Sequence, residues 1–171
     1  RVTGGGDIVA AVTLTIDTEQ GNDGNGGSVN LGTSSLSASA VGVDVTINTA
    51  TTLAAATGGA VTLNTVGNAG GQYINDLSVD SRAATNGVIT LGGSISTDAN
   101  VADTGDVTLA GDVRMAASRT IDTEQGNDAA GGSVTLTNAT VSATAAGADL
   151  TINTATTLAA STGGAVSLGT F

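Results

Sequence analysis

The stretch "INTATTLAAATGGAVTL" runs from Ile47 to Leu63, and "INTATTLAASTGGAVSL" runs from Ile152 to Leu168. The two differ at two positions and lie 105 residues apart. Upstream of each, "TIDTEQGND" stands at Thr15–Asp23 and returns unchanged at Thr120–Asp128. Roughly forty of the 66 positions that overlap at this offset are identical. Self-similarity on this scale marks an architecture in which each unit buries its apolar face against the next. The chain therefore reads as one continuous solenoid segment, residues 1–171. It holds about 1.6 copies of a 105-residue super-repeat (1–105 and 106–171) and is expected to be part of a longer chain or filament.

A shorter beat runs inside the long one. Apolar–polar–apolar runs begin at Val29, Val45, Val61, Ile89, Val107, Val134, Leu150 and Val166, each one or two residues after a Gly or Asp, at steps of 16 to 28 residues. Side chains alternate across a strand, so Val45 and Ile47 share one face and Thr46 takes the other. Further short strands are expected at Thr51–Ala56, Ser94–Ala99, Asp112–Ala117 and Thr13–Glu19. The Gly58–Gly59 and Gly131–Gly132 pairs are expected at corners, where glycine adopts φ > 0 freely. The fold predicted is all-β, a parallel β-helix of about eight coils stacked at ~4.8 Å. Val29, Leu31, Val45, Ile47, Val61, Leu63, Val134, Leu136, Leu150, Ile152, Val166 and Leu168 should point inward. A globular sandwich is the competing reading, but its strands would not restart with the same pattern at every coil.

Composition agrees with strands. Val, Ile and Thr are abundant and favour the pleated surface, while one Tyr, one Phe and no Trp leave a core of small side chains expected to be rich in Ala. Fifteen acidic residues against four Arg give a formal charge of −11, the opposite of the basic stripe that nucleic acid requires. No apolar run is long enough for a transmembrane helix, so membrane insertion is not expected.

Little here can do chemistry. Without His or Cys there is no imidazole base, thiolate or ordinary zinc site. Paired carboxylates are present, but sugar hydrolysis would lack aromatic platforms, so no enzyme and no required cofactor are expected. The best metal candidate is the acidic motif itself. Asp17, Glu19 and Asp23, and in the second copy Asp122, Glu124 and Asp128, place oxygen donors at alternate positions near a glycine, as Ca²⁺ loops do. The closing bidentate Glu is missing, and a solvated acidic corner copied by duplication is the plainer account. Asn48, Asn64 and Asn153 are expected to form an inward ladder that satisfies buried polar groups at a corner. The Gly67–Arg82 stretch "GNAGGQYINDLSVDSR" reads as an inserted loop, and its Tyr73 is the candidate ligand contact.

"GDVTLAGDV" (Gly105–Val113), "GGSVTLTNATVSA" (Gly132–Ala143) and "NGVITLGGSI" (Asn86–Ile95) resemble the repeats of filamentous-haemagglutinin-type adhesins and are similar to autotransporter passenger shafts. The resemblance implies a right-handed β-helix on a bacterial cell surface, serving as a stalk, adhesin or matrix fibre. The function expected is a non-catalytic extracellular fibre, stalk or surface-layer element. Its partners would be copies of itself, or its own continuation, along the solenoid axis. The alternatives are an adhesin whose patch on residues 67–82 meets a host or neighbouring-cell glycan or protein, and a calcium-responsive assembly module.

Overall fold

The computed structural model describes residues 6–67, 73–98, 105–126, 130–137 and 140–169, together with the backbone of 2–3. These residues form seventeen short strands and no helix, and every strand pairing is parallel. The chain visits three faces in a fixed order. The first turn is β1 (Val2–Thr3), β2 (Ile8–Ala10) and β3 (Leu14–Asp17); the second is β4 (Val29–Asn30), β5 (Leu36–Ala38) and β6 (Val45–Asn48). The third turn is β7 (Val61–Leu63), a bridge at Val66, and β8 (Leu77–Asp80); the fourth is β9 (Val88–Leu91), β10 (Ile95–Ser96) and β11 (Val107–Ala110). β12 (Asp112–Met115), β13 (Arg119–Asp122) and β14 (Val134–Thr137) follow, and then β15 (Val141–Ala143), β16 (Leu150–Asn153) and β17 (Val166–Ser167).

These six tiers are joined by five turn-to-turn steps, so the stack is a β-solenoid of about five turns, fewer than the eight expected. On the first face the register partners Val2, Val29, Val61, Ile89, Val113 and Val141 are separated by 27, 32, 28, 24 and 28 residues. The 16-residue steps in the sequence are therefore parts of a turn. Two lead from β4 on the first face to β6 on the third and on to β7 on the first; the other two lead from β14 on the third face to β16 on the second and on to β17 on the third. Counting each apolar run as a coil counts faces, because the second face carries shorter and less regular strands such as Ile95–Ser96.

Inside, columns of branched side chains run along the axis. Val45, Leu77, Val107 and Val134 form one, and Ile47, Val79, Leu109 and Leu136 form the next. Leu36, Val66, Ile95 and Ile121 form the column of the second face. All of these are buried. Each contributes about 1.5–3 kcal/mol of apolar burial, and only because another coil lies above or below it. The core is Val, Leu and Ile rather than Ala, since alanine's single methyl does not reach across between the faces; among described alanines, Ala10, Ala38, Ala56 and Ala110 are buried. Outside, the third face carries an unbroken hydroxyl column: Thr15, Thr46, Ser78, Thr108, Thr135 and Ser167. Unequal turn lengths are thus absorbed at the corners and do not disturb the faces.

One corner design recurs. A Thr or Ser hydroxyl that follows a strand donates to a glycine carbonyl just before the next face. It is Thr18 to Gly27 at 2.9 Å, Thr49 to Gly59 at 2.8 Å and Ser81 to Gly87 at 3.1 Å. It recurs as Thr97 to Gly105 at 2.6 Å, Thr123 to Gly132 at 2.7 Å and Thr154 to Gly164 at 2.9 Å. The glycine pairs do mark corners, but φ > 0 is not the reason, since neither Gly58–Gly59 nor Gly131–Gly132 has it. Space is the reason: a Cβ on Gly59 would lie 2.1 Å from the Gly27 carbonyl oxygen, and one on Gly164 would lie 2.0 Å from that of Gly132.

Candidate functional site

Along the edge between the third and first faces, three corners lie side by side: Thr18–Gly27, Thr49–Gly59 and Ser81–Gly87. They enclose an open groove of about 680 Å³, lined by Asn22, Asn48, Ala50, Thr51, Thr52, Leu53, Ala54, Asp80, Arg82, Ala83 and Ala84. The middle corner shapes it. Thr51 Oγ1 accepts the Leu53 amide at 3.2 Å, the Ala56 amide donates to the Leu53 carbonyl at 3.2 Å, and Ala55 takes φ 64°. A β-turn closed by a left-handed alanine results, with Leu53 projecting into solvent.

Arg82 and Asp80 supply the groove's charges and neutralise each other. Nε donates to Oδ1 at 2.9 Å and Nη2 to Oδ2 at 2.6 Å, while the Arg82 amide donates to Oδ1 at 3.0 Å. Partial burial pushes the Asp80 carboxyl up, but the hydrogen bonds and charge of Arg82 outweigh it and hold the group below the usual carboxylate range. The Arg82 guanidinium is raised in turn, first by its hydrogen bonds to Asp80 and then by the carboxylate's charge. What the groove offers is hydroxyls, amides and one closed ion pair. Among its described lining residues no nucleophile has a base beside it.

The acidic motif folds back on itself. Asp17 Oδ1 accepts the Glu19 amide at 3.1 Å, Asp17 Oδ2 accepts Asn48 Nδ2 at 3.2 Å, and Glu19 Oε1 accepts the Asp23 amide at 3.0 Å. The asparagines beside the acids reach the next turn: Asn22 Oδ1 accepts the Thr52 amide at 3.1 Å and Asn25 Oδ1 the Thr57 amide at 2.9 Å. In the second copy Asp122 repeats both bonds, to the Glu124 amide at 3.3 Å and to Asn153 Nδ2 at 3.0 Å. Glu124 is buried where Glu19 is half-exposed, because turns lie on both sides of it; Asp128 lies outside the described residues. Among the described residues no three His, Cys, Asp or Glu side chains are grouped so as to hold a metal ion.

Two sequence expectations need correction. Asn48 and Asn153 point outward and bond carboxylates of the preceding turn, and Asn64 Nδ2 donates to the Thr33 carbonyl at 2.7 Å. The inward polar residue is the threonine one place later, Thr49 or Thr154, and on a strand a one-residue shift changes the face. Of the Gly67–Arg82 stretch, residues 73–82 belong to the stack and not to an inserted loop. Ile74 is fully buried and bridges Thr97, and Leu77–Asp80 is β8 in the middle of the third face. Tyr73 is half-buried, with its ring against Gly67, and residues 68–72 lie outside the described set.

Sequence reasoning missed an aspartate column at the start of the third face. Asp44 Oδ1 accepts Asn75 Nδ2 at 2.9 Å and the Asp76 amide at 3.3 Å; Asp76 Oδ1 accepts the Asp106 amide and Asp106 Oδ1 the Ser133 amide, both at 2.7 Å. Each carboxylate caps an amide one turn on, and such charge-assisted bonds are the stronger kind. The signal was an Asp directly before the apolar run in "DVTI", "DLSV" and "DVTL". No protein-family model, no curated protein and no solved structure matches this chain.

Proposed function

We propose that this chain is a non-catalytic structural segment of an extracellular fibre or stalk at a bacterial surface. Its coils would wind right-handedly, as parallel crossovers nearly always do, and it would join copies of itself, or its own continuation, along the axis. One observation carries the reading. The core columns pass from turn to turn through the stack, the aspartate column ties the second turn to the fifth, and among the described lining residues the groove along one edge offers no reactive pair. A molecule built this way resists extension and keeps its ends in line, which suits a spacer.

The experiment is electron microscopy of the native protein, with the mass of the native chain determined alongside. Rods of constant width whose length grows with mass support the reading. Compact particles with no axial growth overturn it. A second reading, adhesion through the 67–82 region, draws on the groove beside Arg82, and an array of glycans and cell-surface proteins tests it with Arg82→Ala as the comparison.

A further inference from the structure

Sequence copies and structural faces do not coincide. Each of β1 to β7 has its sequence counterpart 105 residues on, ten strands later. Each counterpart lies one face back. "TIDTEQGND" opens on β3 of the third face, and its second copy opens on β13 of the second. β6 of the third face returns as β16 of the second, and β7 of the first returns as β17 of the third. The local structure is nonetheless the same. Thr15, Ile16 and Asp17 pair with Thr46, Ile47 and Asn48, just as Thr120, Ile121 and Asp122 pair with Thr151, Ile152 and Asn153. The hydroxyl corners obey the same rule: Thr18, Thr49 and Ser81 bridge the third face to the first, whereas Thr97, Thr123 and Thr154 bridge the second to the third.

We infer that the 105-residue unit is a screw element: it spans three turns and two faces, so each copy sets the same surface features a third of the way round the axis from the last. The changeover lies in the fourth turn. There the chain makes both kinds of corner, Ser81–Gly87 and Thr97–Gly105, and then passes from β11 to β12 through the single residue Gly111, at φ 139°.

The feature displayed is the leucine-tipped turn. At the second copy Thr156 Oγ1 accepts the Leu158 amide at 3.1 Å, the Ser161 amide donates to the Leu158 carbonyl at 3.2 Å, and Ala160 takes φ 67°. Leu53 and Leu158 are 41% and 42% exposed, so the same apolar tip is presented from two different edges. Resting on the fibre reading, this sets the turn on a different edge of the shaft at each copy.

The test uses the whole chain, which contains no cysteine of its own. Pyrene is attached to outward positions through three cysteine pairs, and excimer emission reports rings in contact. Thr46→Cys with Ser78→Cys are neighbours on the third face and serve as the reference. Ser78→Cys with Thr108→Cys are neighbours only if β11 has moved to the third face. If the copies kept their faces, β11 would take the place of its counterpart β1 on the first face, and Thr108 would lie beside Thr90. The expected result is excimer emission from the 46/78 and 78/108 pairs and monomer emission from Thr90→Cys with Thr108→Cys. Excimer emission from 90/108, or its loss from 78/108 while 46/78 keeps it, overturns the inference. The readout comes from single chains, so it stands or falls separately from fibre formation.

Discussion

Ile47–Leu63 and Ile152–Leu168 share 15 of 17 residues and fold into the same corner, yet their side chains live in different surroundings. Val61 and Leu63 are fully buried, whereas Val166 and Leu168 are 46% exposed. Thr49 is sealed inside its corner and Thr154 is only partly covered. The first stretch has a turn on each side, and in this structure the second has a turn on one side only. Local sequence thus decides the path of a corner, while burial, and with it most of the energy, is conferred by the neighbouring turns.

The sharpest way to break that comparison is a charge in the core. Ile47→Asp leaves an unpaired carboxylate between two turns and should lower stability by several kcal/mol. In the 171-residue chain, whose last turn is covered on one side, Ile152→Asp should do markedly less harm. Urea midpoints of the two variants check this, and equal losses would mean that neighbouring turns do not set burial.

Glycine substitutions should behave in the opposite way. Gly59→Ala and Gly164→Ala each drive a methyl group into a carbonyl of the preceding turn, and both corners have a preceding turn. Each should cost about 1–3 kcal/mol through overpacking, with the two losses closer together than those of the isoleucines. Thermal denaturation of the pair decides the matter.

A smaller difference is expected from the corner hydroxyls. Thr49→Val removes a buried bond to the Gly59 carbonyl and should cost about 1–3 kcal/mol, because the acceptor is left without water. Thr154→Val, where solvent can replace the hydroxyl, should cost roughly 0.5–1 kcal/mol. Amide exchange at the two corners resolves the effect.

The smallest effect is a pH dependence along the groove. Asp80 is held below its unfolded value, so it adds stability that is fully present above the unfolded pKa of about 3.9 and is lost as pH falls through the folded pKa. Asp7 is lowered as well, by hydrogen bonds from the Ser35 side chain and amide, and acts in the same direction. Asp80→Asn should lower stability slightly at neutral pH, where the contribution is present, and flatten the further loss on acidification below about pH 4. Denaturation midpoints measured across that range check it.

How much was legible follows from where the physics is local. The strand pattern at Val45–Asn48 depends on alternation alone, and the parallel stack follows from its repetition, so both could be read. Eight of the twelve residues expected inside are buried; Leu150 and Ile152 are half-buried, and Val166 and Leu168 are exposed, on the last turn. The number of turns could not be read, because a run such as "AVTL" looks the same whether it stands one face or one full turn after "DVTI". The acidic corner was visible as a charge pattern. Its use was not, since the bonds of Asp17 to Asn48 and of Asn22 to Thr52 join residues about thirty apart whose pairing depends on the register of whole turns.

Corners that accept turns of 24 to 32 residues while the faces keep register also bear on how such a chain grows longer. A duplicated stretch need not match a whole number of turns to be taken in. It has only to begin and end at equivalent points of a strand, and whichever face comes next receives it. Copying errors that would wreck a closed globular core therefore lengthen this molecule, and identical segments such as Thr15–Asp23 and Thr120–Asp128 can persist on faces that never meet.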